Sequence, residues 1–205
     1  MVSAPEPVPD DTAAARAQGR AAETAARRRR LLQAASTLAG EGGYDAVHMR
    51  AVAAQAGVAL GTLYRHYASK DQLLVAVLVD QADALQSTLA RRPARGRTSA
   101  DRVTDVLERA CRALEREPRL TAAMVTALSS TDPGAASAVL SVEERLQTMM
   151  ADAIDGATVA QLDAVLRTLG HVWFSAMVSW VAGKTDGNRM RADLESAAHL
   201  LLDER

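Results

Sequence analysis

Between Gly57 and Lys70 the chain reads GVALGTLYRHYASK, with two tyrosines, Arg65, His66 and Lys70, no acid, and no metal-ligand spacing. Phenol and imidazole tips and flexible cations are suited to phosphate oxygens, and glycine lets a backbone come close to a bulky polyanion. Thr62 adds a hydroxyl and a methyl for a base edge or phosphate, Tyr64 and His66 add polar tips, and Lys70 adds a point charge. Arg50, just upstream, can meet a guanine edge in bidentate fashion. For Tyr67, three positions beyond Tyr64, core packing is the better reading. A second group of residues is apolar: Trp173, Met177 and Trp180 fall at i, i+4 and i+7, with Phe174 beside them. Together with Met124, Leu128, Met149 and Met150 they suit either the wall of a hydrophobic ligand site or ordinary core and dimer-seam packing. Catalytic groupings are missing. His171 and His199 have no acid or cysteine at useful spacing, and the single cysteine, Cys111, sits on an apolar stripe. The sequence therefore predicts no enzyme, no metal and no cofactor.

Charge is distributed unevenly along the 205 residues, whose net charge is −1. From Arg16 to Lys70 there are nine Lys or Arg against three acids, and from Asp71 onward fifteen against nineteen. Such a split points one end of the chain toward a polyanion. The run Arg27 to Arg30 belongs to this basic end, as a solvated helix face or a phosphate anchor. The first residues, MVSAPEPVPDD, are acidic and proline-rich, unlike a secretion signal, and no unbroken apolar run reaches the length of a membrane span. A soluble, cytoplasmic protein without membrane contact is the expectation.

Helices must position these groups. Alanine, leucine and arginine dominate and alternating strand patterns are absent, so the chain reads as all-α with about nine helices. Residues 1–21 lack hydrophobic periodicity and read as a disordered tail. A first helix follows from Ala22 to the glycines of EGGYDAV, and Met49 to Ala56 forms a second, closed by Gly57. Leu60 to Tyr67 forms a third, making a helix-turn-helix candidate. Ser69, with Gln72 three residues on, starts a fourth helix that runs to about Leu89. RRPARGRTSA is a polar loop, and further helices run from Val103 to before Pro118, from Pro118 to Leu128 and from Pro133 to about Ile154. A helix apolar on several faces spans Val159 to Ala182, and an amphipathic one includes Met190 to Leu201.

The stretch GGYDAVHMRAVAAQAGVALGTLYRHYASKDQLLVAVL resembles the DNA-binding domain of TetR-family transcriptional repressors. The likeness lies in the glycine-aromatic turn, the AVAAQAGV supporting helix, the GTLYRHY recognition helix and the Ser-Lys start of the next. Ala68 stands where the family usually has proline. The resemblance implies a helix-turn-helix domain over residues 22–69 and a ligand-binding and dimerisation domain over 70–205. It implies DNA-contact roles for Arg50, Gly61, Thr62, Tyr64, His66 and Lys70, variable base-reading positions at Ala59, Leu60 and Arg65, and a phosphate anchor in the arginine run at Arg28. Its partners would be a pseudo-palindromic operator in double-stranded DNA, a second copy of the chain, and a small effector. GGYDAVHMRAVA, RALEREPRLTAAM and HVWFSAMVSWV are similar to stretches of the KstR-type repressors of cholesterol catabolism, which implies a hydrophobic effector of the steroid or acyl-CoA thioester kind. Arg109, Arg112, Arg116 and Arg119 are the cations on offer for CoA phosphates, while SSTDPGAASA is small and polar where that subfamily carries aromatics. Two alternatives stay open: a regulator of drug efflux, which needs acids near the aromatics, and an all-α lipid-binding protein without specific DNA binding.

Overall fold

The computed structural model describes residues 11–156 and 158–203. Among the described residues there are nine helices and no strand: α1 (Asp11–Ala46), α2 (Met49–Gln55), α3 (Leu60–His66), α4 (Lys70–Arg91), α5 (Ser99–Glu115), α6 (Pro118–Leu128), α7 (Pro133–Ala151), α8 (Val159–Val181) and α9 (Gly187–Leu202). The all-α expectation holds, and apart from the start of α1 the boundaries lie within a few residues of those read from sequence.

Helix α1 departs furthest. It begins at Asp11, so the part of the expected tail from residue 11 to 21 is helical; residues 1–10 lie outside the described residues. Alanine-rich sequence with no apolar stripe carries high helix propensity, and extending an existing helix avoids the cost of a new nucleus. Periodicity alone could not see it. The helix breaks at Gly43, whose φ of 72° only glycine adopts readily, and this redirects the chain toward α2.

The turn between α2 and α3 follows from Gly57. With φ at 65°, it lets the Val58 N–H reach the Ala53 carbonyl at 3.0 Å and its own N–H reach Ala54 at 3.2 Å. This pair of bonds closes a helix end in the Schellman manner and aims α3 away from α2. At the start of α4, Ser69 Oγ accepts from the Gln72 N–H at 3.1 Å, as expected. The reciprocal bond differs from a strict capping box, because Gln72 Oε1 accepts from Ala68 N at 2.6 Å rather than from Ser69. The polar loop is shorter than expected: Thr98 and Asp101 form a full capping box that starts α5 at Ser99.

Two cores result. One joins α1, α2, α3 and the first half of α4 to α6, around Leu31, Leu63, Leu73, Leu74 and Leu120. The other joins α5, the end of α7, α8 and α9 around Leu107, Met150, Leu169 and Leu194. Trp173 and Trp180 pack against both. Helix α4 is long and apolar enough to cross a bilayer by length and mean hydropathy (1.3), a feature hidden from a search for unbroken apolar runs. Its Leu73–Val79 stretch is wholly buried, which is the placement of a core helix.

Candidate nucleic-acid interface and effector cavity

Helix α3 is divided cleanly between inside and outside. Leu63 is fully buried and Tyr67 nearly so, and both belong to the first core. Ala59, Gly61, Tyr64 and Arg65 are exposed, while Leu60, Thr62 and His66 are half-buried along the same short helix. Arg50, at the start of α2, is exposed as well. Tyr64 is 50% exposed, an unusual setting for a large aromatic unless its surface meets another partner. Arg65 Nη2 donates to Thr62 Oγ1 at 2.9 Å, so these two side chains act as one hydrogen-bonding unit. The core reading of Tyr67 agrees with its place. Its hydroxyl is driven above the usual phenol range by burial, an effect that the neighbouring Arg28 guanidinium opposes.

Arg28, expected as a phosphate anchor, is exposed beside a groove formed with Gln72, Ala76 and Ser137, near enough to Tyr67 for its charge to act on the phenol. Arg27 pairs with Glu23 at 2.6 Å. Arg29 and Arg30 are exposed as well.

Lys70 is also more engaged than a free surface charge. Its Nζ sits 3.6 Å from the centroid of the Tyr44 ring and donates to the Tyr44 carbonyl at 3.4 Å. The Tyr44 hydroxyl donates in turn to Asp71 Oδ1 at 2.5 Å. Burial, and then the Asp71 carboxylate, push that phenol up to about 12. The other oxygen of Asp71 accepts from Ser130 Oγ at 2.6 Å. Ser69 Oγ donates to Asp132, whose second oxygen accepts from Gly134 N at 2.9 Å. These two bonds hold the Asp132 carboxyl below the usual carboxylate range. The first turn of α4 is thus tied on one side to the turn after α1 and on the other to the α6–α7 loop.

Farther along α4 lies a cavity of about 360 Å³, bounded by α4, α5, α6, α7 and α8. Six residues expected from sequence line it: Leu128, Met149, Met150, Trp173, Phe174 and Met177. Met124 and Trp180 do not. Met124 is buried in the first core, and Trp180 fills space between the two cores. Helical periodicity gives Trp180 the same stripe as Trp173, but only the packing of α6 and α9 against α8 decides which part of that stripe stays uncovered.

The sequence reading missed the α4 wall (Leu78, Gln81, Ala82, Leu85), the α5 wall (Ala110, Ala113, Leu114) and most of the α7 wall from Val139 to Gln147. One signal was available: Gln81 interrupts the apolar stripe of α4 between Leu78 and Leu85. Arg167 and His171 are exposed lining residues on α8, and Glu143 is an exposed one on α7. The four arginines offered for CoA phosphates lie off the cavity wall. Arg109 pairs with Asp105 and donates to the Arg92 carbonyl, Arg112 pairs with Glu108, Arg119 donates to the Glu41 carbonyl, and Arg116 is exposed. Cys111 is fully buried, and its thiol is pushed up to about 12, by burial and then by Glu115, so it is an inert packing group.

Comparison with known proteins agrees with this geometry. Residues 31–77 match the bacterial regulatory proteins of the tetR family, and residues 96–201 match the tetracyclin repressor-like C-terminal domain. The HTH-type transcriptional repressor KstR of Rhodococcus jostii (strain RHA1) is 38% identical over 180 residues, which cover 87% of this chain and 84% of that relative. The crystal structure of a TetR transcriptional regulator from Rhodococcus sp. RHA1 superposes with a TM-score of 0.81 at 36% identity, covering 89% of this chain and 98% of that one. Thermus thermophilus FadR, solved in complex with lauroyl-CoA, shares the fold with a TM-score of 0.67 at 22% identity, covering 85% and 92%. The chain belongs to the TetR family of bacterial transcriptional regulators.

Proposed function

We propose that the protein is a homodimeric repressor whose two α3 helices enter successive major grooves of a pseudo-palindromic operator, and that a hydrophobic effector in the α4–α8 cavity releases it. The observation that carries this reading is the continuity of α4. The same helix holds the reading head at Lys70 and Asp71 and forms a cavity wall from Leu78 to Leu85. Tyr64, His66, Thr62 and Lys70 serve as phosphate and edge contacts, Arg50 as a guanine reader, and exposed Arg28, with Arg29 and Arg30, as phosphate anchors. Ala59 and Leu60 offer only apolar contact, so they read thymine methyls and groove shape.

For the effector, an acyl-CoA thioester or a steroid derivative fits the apolar wall. The hydrocarbon body enters the cavity and a polar head remains near exposed Arg167 and His171. The relation to KstR and the lauroyl-CoA complex of the similarly folded FadR support this class. A cationic effector of the drug-efflux kind is less well served, since the lining acid, Glu143, is exposed rather than set among the aromatics. An effector acts only through its preference for one arrangement of the heads, so it must bind the DNA-free state more tightly. The dimer rests on the unpaired outer faces of α8 and α9, and regulation rather than catalysis is its role.

The test is a titration of the purified chain, at physiological salt, against a duplex selected from random DNA and a shuffled duplex of equal composition. Specific operator binding gives a large affinity ratio that falls when an acyl-CoA is added. Equal affinity for both duplexes overturns the regulator reading.

A further inference from the structure

Most of the cavity wall is hydrocarbon, and its polar members differ in how they are served. Glu143, Arg167 and His171 are exposed, and Gln147 is half-buried with no sealed, unpartnered atom. Gln81 is different. It lies on α4 between Leu78 and Leu85, its side chain forms part of the wall, and its Oε1 is sealed from water with no hydrogen-bond partner. Thr104 and Thr185 carry the other such orphaned oxygens among the described residues, and neither lines the cavity.

An orphaned buried carbonyl costs stability, while an apolar side chain of the same shape at that place is neutral or better. Leucine or methionine would continue the α4 stripe, so the glutamine is a liability in the empty protein. The torsion that carries the terminal amide is soft and roughly two-fold, so a modest turn brings Oε1 out of the wall and into the cavity. Once there it can accept from a donor that a ligand in the cavity supplies.

We infer that Gln81 is the residue that selects the effector: the cavity takes an apolar molecule bearing a hydroxyl, whose O–H donates to Gln81 Oε1. The inference rests on the effector-cavity reading above and adds the chemical group the ligand must carry. It also places the wall's sealed, unpartnered oxygen on α4, the helix that holds the reading head. A ligand therefore gains its specificity on the element that has to move.

Two isomeric probes separate hydroxyl recognition from simple hydrophobic capture: 1-octanol, which can donate, and 1-methoxyheptane, which has the same atoms and cannot. Their dissociation constants are measured by calorimetry on the full chain and on Gln81→Leu, with Gln81→Met as a second variant of matched length. The expected result is that the wild type favours the alcohol over the ether by about tenfold more than either variant does. The variants should also melt at or above the wild-type temperature. An alcohol-to-ether ratio that is unchanged within twofold in both variants overturns the inference, and so does failure of both isomers to bind the wild type up to their solubility limits. Binding of the selected and shuffled duplexes by the same ligand-free samples is read in parallel. Loss of duplex selectivity there removes the repressor reading while the alcohol-to-ether ratio still decides the role of Gln81.

Discussion

Adjacent residues in α3 have opposite duties, and single substitutions separate them. Tyr64 is half exposed and makes no described hydrogen bond, whereas Leu63 beside it is fully buried in the first core. Tyr64→Ala should weaken binding to the selected duplex by about 1–2 kcal/mol in a fluorescence titration and leave the melting temperature unchanged. Leu63→Ala should instead cost about 2–5 kcal/mol of folding stability, read by urea denaturation. If Tyr64→Ala binds like the wild type, the exposed face of α3 is not the reading surface. At the other end of the chain, against the expectation that His199 has no acid at useful spacing, its Nδ1 lies 2.8 Å from Asp203, one helical turn on, and its Nε2 lies 3.9 Å from Asp101. The Asp203 hydrogen bond raises the imidazole above its ordinary value, outweighing partial desolvation, and Asp101 adds to it. The folded state thus holds the proton more tightly than the unfolded chain. Its contribution is complete below the ordinary histidine range and is lost as pH rises through the raised value. His199→Gln should flatten that part of a melting-temperature profile against pH.

Among the elements, α4 does the most. Its first turn is bonded to Tyr44 in the DNA-proximal part and to Ser130 and Asp132 in the α6–α7 loop, and its middle faces the cavity. Asp71 joins the two sides because its carboxylate accepts from Tyr44 with one oxygen and from Ser130 with the other. On the proposed mechanism, any shift of α6 caused by filling the cavity beside Leu128 would pull on that carboxylate directly. In a double-mutant cycle, Ser130→Ala and Asp71→Asn should show a coupling of about 1 kcal/mol in stability. Each single variant should keep its affinity for duplex and for acyl-CoA while losing part of the effect of one on the other. Unchanged linkage in both variants would show that the loop does not transmit the signal. The capping residue of α4 was legible in sequence because caps are local and Ser69 acts within three residues of itself, whereas Thr98, which caps α5, was hidden in what reads as a polar loop. Partners across the fold were not legible, since Ser69 to Asp132 and Asp71 to Ser130 span about sixty positions of chain.

For the molecule as a whole, the end of α9 carries uncovered apolar surface: Leu200 is 76% exposed and Leu201 37%, while Phe174 of α8, 42% exposed, stands on the cavity wall. Exposed large apolar side chains on α9 suit the isologous pairing with a second copy proposed above. Leu200→Arg, at the most exposed of these positions, should shift the protein from dimer to monomer in sedimentation equilibrium. It should also abolish tight binding to the two-half-site duplex, since one head alone forfeits the linked second contact. A dimer that survives with full affinity would place the interface elsewhere.

The sequence by itself determined the helices, their order, the glycine turn that aims α3, and the basic, acid-free composition of the reading head. All of these are set by interactions within a few residues: propensity, caps, and a backbone angle that only Gly57 reaches readily. The family likeness could be read there for the same reason, because the helix-turn-helix is a compact local motif. The tertiary structure decided the rest. It set Lys70 against the ring of Tyr44, and it packed Met124 and Trp180 into the cores rather than on the cavity wall. It also brought Gln81, a single break in an apolar stripe, to face a cavity walled by five helices. Periodicity tells which side of a helix is apolar, but it does not tell whether that side meets another helix or an empty space. That choice depends on how helices far apart in sequence pack together, and here it separates core from cavity wall.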